Sequence, residues 1–113
     1  MNEEIIQMVK KFNDDRNWDQ FHNGKDLAIS LVLEASELLE IYQWSSNDAE
    51  CLDKKERIEE ELADVFLYAI QIAQHYDLDI DEIIKKKIKR NAEKYPVEKA
   101  RNHKEKYNCL NNF

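Results

Sequence analysis

An all-α domain is what this sequence predicts, on three observations. Among 113 residues there is one Gly (Gly24), one Pro (Pro96) and no Thr. A β-rich fold needs turn residues and β-branched strands, and this chain is short of both. It is rich in Leu, Ile, Ala, Glu and Lys, which favour helix. Its apolar residues recur at three- and four-residue steps, the period of a helix face. The length predicts one domain with a modest core, and 42% hydrophobic with 36% charged residues fits a folded protein.

The elements follow in order. Ile5, Met8, Val9 and Phe12 share a face, which predicts a first helix over residues 3–16. Residues 17–25 break it, with the turn dipeptide Asn23-Gly24 and the aromatics Trp18, Phe21 and His22. So short an aromatic loop either tucks onto the core or walls a ligand. A second helix is predicted over residues 26–44, with Asp26 as cap. Measured from Leu27 at about 100° per residue, Ile41, Leu38, Leu31, Tyr42, Ala35, Leu39 and Val32 fill an arc from about −40° to about +140°. Glu34 falls near −20°, inside that stripe, and Glu37 near −80°, at its edge. A carboxylate inside an apolar stripe is costly without a partner.

Residues 45–53 are polar and end the helix. Asp53-Lys54-Lys55-Glu56 has capping-box spacing and predicts a third helix over residues 54–76. Its stripe is Ile58, Leu62, Val65, Phe66, Ala69, Ile72 and Ala73. Glu61, Tyr68 and Asp64 lie at about −60°, −80° and −120° from Ile58, one polar edge beside the stripe. Ala63, Leu67 and Ile70 widen the apolar arc past about 180°, which predicts burial on more than one side and hence subunit contacts. Asp79-Ile80-Asp81-Glu82 repeats the capping spacing. The fourth helix then runs to about Tyr95, where Pro96 stops it. Ile80, Ile83, Ile84 and Ile88 give it a packing face, and Lys87, Asn91 and Lys94 share another. The domain is expected over residues 1–97, with a polar tail over 98–113.

Charge and cysteine usage exclude several classes. The net charge of −7 argues against a nucleic-acid polymer as partner. A nucleotide substrate is still allowed, because bound metal reverses local charge. Cys51 and Cys109 have no metal-ligand spacing, so free thiols in the cytoplasm are expected. The start, Met1-Asn2-Glu3-Glu4, has no signal-peptide pattern, and no apolar run approaches a membrane span.

The chemistry centres on Glu34-x-x-Glu37 and Glu61-x-x-Asp64. A three-residue step puts each pair one turn apart on the same side of its helix. Two such helices face to face aim four carboxylates at one small volume, where they repel unless a hard cation joins them. Oxygen-only ligands suit Mg²⁺ or Mn²⁺. Such a centre beside lysines and aromatics suits phosphate chemistry. Lys87 and Lys94 would meet outer phosphates, Asn91 and Tyr68 phosphate or sugar, and Trp18 and Trp44 offer flat faces for a base. A four-helix di-iron site would need Glu-x-x-His, and no Glu here has His three residues later.

Taken together, Glu34-x-x-Glu37, a spacer and Glu61-x-x-Asp64 resemble the metal motif of the MazG-like nucleotide pyrophosphohydrolases, the all-α NTP pyrophosphatases. The resemblance runs from roughly residue 4 to residue 97. Arg16-Asn17-Trp18-Asp19-Gln20-Phe21-His22, Tyr42-Gln43-Trp44, Asp64-Val65-Phe66-Leu67-Tyr68 and Lys87-(x)₃-Asn91-(x)₂-Lys94-Tyr95-Pro96 are similar to the dCTP pyrophosphatase branch. It implies a four-helix MazG-like bundle that hydrolyses a nucleoside triphosphate to the monophosphate and pyrophosphate with Mg²⁺. It implies Glu34, Glu37, Glu61 and Asp64 as metal ligands, one of them orienting or deprotonating the attacking water. It further implies Trp18 and Trp44 in the base pocket with Phe21, His22 and Tyr68 nearby, and Lys87, Asn91 and Tyr95 reaching phosphates and sugar. A homo-oligomer, dimer or dimer of dimers, with sites made by more than one chain, is part of the same implication. Asp26 stands where dCTP-specific relatives carry Asn, which leaves base preference open.

Two rivals stand beside that reading. One is a non-enzymatic helical interaction module whose acidic edges keep it soluble. The other is hydrolysis of a nucleotide conjugate or a diphosphate. Trp18 and Trp44 flank a helix of about 18 residues, near 27 Å at 1.5 Å per residue. One chain can therefore hardly bring both rings to one base, which predicts a composite pocket with one tryptophan supplied by a neighbouring chain.

Overall fold

The structure is a computed structural model that describes residues 1–104. It is helical, with no strand among the described residues. The chain divides into two compact units, Met1–Leu78 and a second that begins at Asp79.

In the first unit, α1 spans Glu3–Arg16, α2 Gly24–Glu40 and α3 Lys55–His75. Short 3₁₀ turns cover Trp18–Phe21 and Leu52–Lys54. Helix α1 starts where Asn2 Oδ1 accepts from the Glu4 backbone N–H at 2.7 Å. It ends at Asn17, whose left-handed backbone (φ 52°, ψ 40°) is one that Asn tolerates. That reversal carries Trp18 back over the helix just completed. The buried face of α1 is Ile6, Val9 and Asn13, while Ile5, Met8 and Phe12 stay partly exposed. The expected face was therefore displaced by about one residue. Its three other apolar members line a cleft instead of the core.

Helix α2 begins earlier than expected and is capped by Asn23, not Asp26. Asn23 Oδ1 accepts from the Asp26 backbone N–H at 2.8 Å, and Asn23 Nδ2 donates to Asp26 Oδ2 at 2.9 Å. Asp26 is thus the reciprocating member of a capping box, three residues inside. The helix ends at Glu40, and residues 41–44 form turns, so Trp44 lies beyond the helix rather than in its last turn. The expected box at Asp53 does not form either. Asp53 sits within the second 3₁₀ turn, and α3 starts at Lys55, with Lys54 in the cap position and no side-chain cap.

Helices α2 and α3 run antiparallel. Tyr76, just past the end of α3, stands over Gly24 at the start of α2. At the other end Cys51, buried ahead of α3, lies with Sγ 3.8 Å from the Ile41 carbonyl oxygen. Cys51 is a free thiol, as expected; Cys109 and the tail beyond residue 104 lie outside the described residues. The inward face of α2 is Leu27, Leu31, Glu34, Leu38 and Ile41. Facing it, α3 turns in Ile58, Glu61, Val65, Tyr68 and Ile72. Both sets alternate steps of three and four, the spacing of a two-helix seam. The seam is narrower than the predicted arcs. Val32 and Leu39 on α2, with Leu62 and Phe66 on α3, remain exposed. Helix α1 also packs on α3, and Ile70 and Ala73 are buried, so the wide arc of α3 is covered in part within one chain, whereas the flank with Leu62 and Phe66 is not.

Asp77 takes the left-handed conformation, and the Leu78 N–H donates to the Ala73 carbonyl at 2.8 Å, closing α3 in a Schellman pattern. In the second unit, α4 spans Ile80–Lys94 and a one-turn α5 spans Val97–Ala100 after Pro96. The cap predicted from sequence is present: Asp79 Oδ1 accepts from the Glu82 N–H at 3.1 Å. Residues 98–100, read from sequence as tail, are helical with Val97 because Pro96 sets the entry φ for a new turn.

Candidate metal centre and aromatic cleft

Glu34 lies between Leu31 and Leu38 on the inward face of α2, so its side chain enters the α2–α3 seam whatever its rotamer. Glu61 and Asp64 stand one turn apart on α3. One carboxylate oxygen from each of Glu34, Glu61 and Asp64 lies within 4.8 Å of the others. Glu34 Oε2 and Glu61 Oε2 are buried and have no hydrogen-bond partner. Buried polar atoms are normally satisfied, and an unmet carboxylate oxygen is among the costliest exceptions. Glu37, one turn along α2, is exposed and hydrogen-bonds both Glu34 and Glu61.

The electrostatics follow from that crowding. Burial, then the hydrogen bond to Glu37, then the charges of Glu37, Asp64 and Glu61 push Glu34 up to about 7. Glu61 is raised by the same kinds of cause, burial first, with Arg57 opposing. Glu34, Glu61 and Asp64 would each offer one oxygen to a divalent cation, which would relieve the crowding of these acids. The donor set is oxygen only, which fits Mg²⁺ or Mn²⁺ and disfavours thiophilic metals.

A cleft of about 480 Å³ opens beside the acids, with Glu34 and Asp64 at one end. Phe12, Trp18, His22 and Tyr68 supply its rings, and Met8 and Leu67 its aliphatic wall. The size and the mostly apolar lining with a few polar groups are those of a small-molecule site. Trp18 meets Phe12 edge to face, centroids 5.6 Å apart. The Arg16 guanidinium lies 3.7 Å from the Phe12 centroid and donates to the Phe12 carbonyl at 3.0 Å. One cation thus braces the aromatic wall from outside. His22 Nδ1 lies 3.5 Å from Asp19 Oδ1, on the 3₁₀ turn that also carries Trp18.

Of the residues singled out from sequence, Trp18, His22 and Tyr68 join the acids at the cleft. Phe21 is exposed and is not part of its lining, and Trp44 is 87% exposed. Lys87, Asn91, Lys94 and Tyr95 belong to the second unit; Lys87 and Asn91 are exposed, Lys94 and Tyr95 half-buried. Sequence reasoning missed Asn13 and Gln71. Asn13 follows Val9 by four residues and Ile6 by seven, so a polar residue on the buried stripe was the available signal. Gln71 is one turn beyond Leu67 and could not be told from a solvated residue.

Known proteins resemble this arrangement. The MazG-like family matches residues 29–110. The rat protein dCTP pyrophosphatase 1 is 36% identical over 114 residues, covering 96% of this chain and 66% of its own length. The human protein of the same name is 32% identical over 113 residues, with the same two coverages. The chain therefore spans about two thirds of the length of these relatives. The crystal structure of a pyrophosphatase from Archaeoglobus fulgidus superposes with a TM-score of 0.76 at 38% identity, covering 83% of this chain and 91% of that one.

Proposed function

The chain belongs to the MazG-like family, and from that premise we propose that it is a nucleotide pyrophosphohydrolase, converting a (deoxy)nucleoside triphosphate to the monophosphate and pyrophosphate. The observation that carries this reading is the cluster of Glu34, Glu61 and Asp64, with orphaned oxygens on the two glutamates, two of whose members, Glu34 and Asp64, line an aromatic cleft. Glu34, Glu61 and Asp64, with Glu37 at the rim, would hold Mg²⁺ or Mn²⁺. When bound, the metal supplies positive charge against the phosphate oxygens and acidifies water.

The chain's own residues do the rest. Trp18 and Tyr68 wall the base and sugar, and His22 stands with them. Glu37, the exposed acid of the four, has the solvent access to orient a water and accept its proton. Lys87 and Lys94 meet the outer phosphates, Asn91 and Tyr95 the phosphates and sugar, as the family resemblance implies; Phe21 and Trp44 complete the base pocket. The relatives named for dCTP make a dCTP-like substrate part of this reading. We place the protein in the cytoplasm as a nucleotide-pool cleaner; no helix of the described residues is long and apolar enough to cross a membrane.

The test is a panel of the eight common (deoxy)nucleoside triphosphates with Mg²⁺ or Mn²⁺, read by product identification. Intact pyrophosphate is expected. Glu34→Gln and Glu61→Gln should each abolish turnover while the helical circular-dichroism signal is kept. No pyrophosphate from any substrate would favour the helical interaction module. Monophosphate and phosphate from added nucleoside diphosphates, with no pyrophosphate from the triphosphates, would favour hydrolysis of a diphosphate.

A further inference from the structure

The acids and rings of the cleft treat every nucleotide much alike, since all have phosphates and a flat base. One pair of side chains in the same cleft does not. Asn13 is 4% exposed, yet it lines the cleft, as does Gln71. Gln71 Nε2 donates to the Leu67 carbonyl oxygen at 3.2 Å. A backbone carbonyl only accepts, so the Gln71 amide cannot turn over. Its Oε1 therefore faces Asn13 and accepts from Nδ2 at 3.1 Å. That bond in turn fixes Asn13 and leaves Oδ1 with no donor among the described residues; unlike the orphaned Glu34 and Glu61 oxygens it is not closed off, so it meets the open space that Asn13 lines. A helix carbonyl thus sets, through two amides, the polarity of one group in a mostly buried wall. On its other side the pair borders a smaller polar pocket of about 170 Å³.

We propose that Asn13 Oδ1 reads the base. It accepts a hydrogen bond from an exocyclic amino group, so the cleft prefers an aminated ring, cytosine or adenine, over the keto ring of the same size. A keto oxygen in that place would set acceptor against acceptor, and the Gln71 lock prevents the amide from rotating to suit it. A site built to hydrogen-bond a substrate group discriminates far better than an apolar one, because the mismatched ligand leaves a buried group unmet. Asn13 is a specificity-determining residue here and takes no part in the bond-breaking step. The proposal rests on the nucleotide reading of the cleft.

The experiment uses the full chain and matched pairs differing only in that group: dCTP against dUTP, and dATP against dITP. Wild type should favour the amino member of one pair by on the order of tenfold or more in kcat/KM, and which pair does so separates cytosine from adenine. Asn13→Leu should bring that ratio to within about twofold. Gln71→Leu, which frees the amide to rotate, should raise activity on the keto member. Affinities for dCMP, dUMP, dAMP and dIMP are measured in parallel by calorimetry, without turnover. Preferential binding of the amino member with no pyrophosphate released would sink the proposed activity and keep the base reader. Equal rates on both members in wild type, or an unchanged ratio in Asn13→Leu, would overturn the base reader alone. That includes the case where Asn13 merely holds a water in the smaller pocket and its loss lowers stability only. Should Asn13→Leu fail to fold, wild type and Gln71→Leu decide the matter. If no nucleotide binds or is hydrolysed, both readings fall.

Discussion

Glu34 is the residue on which the pH behaviour turns. Its proton is held up to about pH 7 in the fold, against an ordinary value of 4.5. Between those values the folded chain holds more protons than the unfolded one, so stability falls as pH rises. The contribution is fully present below about 4.5 and is lost by about 7. Glu61 shifts in the same direction and adds to the trend. Metal-free protein should therefore melt at a lower temperature at pH 8 than at pH 5.5. A divalent cation needs the ionised carboxylates, so its stabilising effect should run the other way. Melting curves with and without Mg²⁺ at both pH values check this; a metal-induced rise larger at pH 5.5 would contradict it. Glu34→Gln removes the buried charge without changing shape. It should reduce the pH dependence, leaving the smaller part that Glu61 carries, and abolish the metal-induced rise.

At the scale of elements, the most informative feature is the start of α2. The Asn23 side chain caps α2 and bonds Asp26, directly after the 3₁₀ turn that carries Trp18 and the His22 that ends it. Asn23→Ala should lower stability by about 1 kcal/mol, the usual worth of a cap, as read by urea unfolding. Because this cap directly follows the loop of Trp18 and His22, fraying there should also weaken substrate binding, whereas Asp53→Ala, where no cap forms, should leave both unchanged within error. The contrast is instructive about spacing rules. Asp-x-x-Glu at residue 79 caps α4, while the same pattern at residue 53 does not. There Cys51 takes a left-handed turn, and Asp48 Oδ1 accepts from the Cys51 N–H at 3.1 Å. That turn delays helix entry by one residue and carries Asp53 out of capping position.

For the whole molecule, the uncovered flanks of α2 and α3 set the expectation. Val32, Leu33 and Leu39 on one helix, with Leu62 and Phe66 on the other, are exposed within one chain. We expect them to be covered by a second copy, as a dimer or a dimer of dimers. Sedimentation at micromolar concentration checks this, and a clean monomer with full activity would rule it out. The two tryptophans make the same point about the site. Helix α2 has 17 residues, about 25 Å at 1.5 Å per residue. Trp18 reaches the cleft from the α2 entry side, whereas Trp44 follows the helix's far end and is left in the open. Trp44 is therefore expected to serve the site of a neighbouring chain. Trp44→Ala and Glu34→Gln subunits, each inactive alone, should regain part of the activity when co-assembled. If mixed assembly is verified by mass and nothing is recovered, Trp44 acts within its own chain's site or has only a structural part.

By itself the sequence determined the helices and the acids. Period and composition are local properties, so α1, α3 and α4 were legible to within a residue or two, and Glu34 stood out as a charge inside an apolar stripe. The family was legible as well, because its motif is a spacing along the chain. Tertiary structure decided which half of each over-wide apolar arc is buried, since periodicity marks a face but not its partner. It decided that Ile5, Met8 and Phe12 edge a cleft rather than fill a core. It also decided that two unremarked amides, Asn13 and Gln71, 58 residues apart, share one hydrogen bond. No pattern in the chain foretells such a pair, because what joins them is the packing of α1 on α3 and not their order in the sequence.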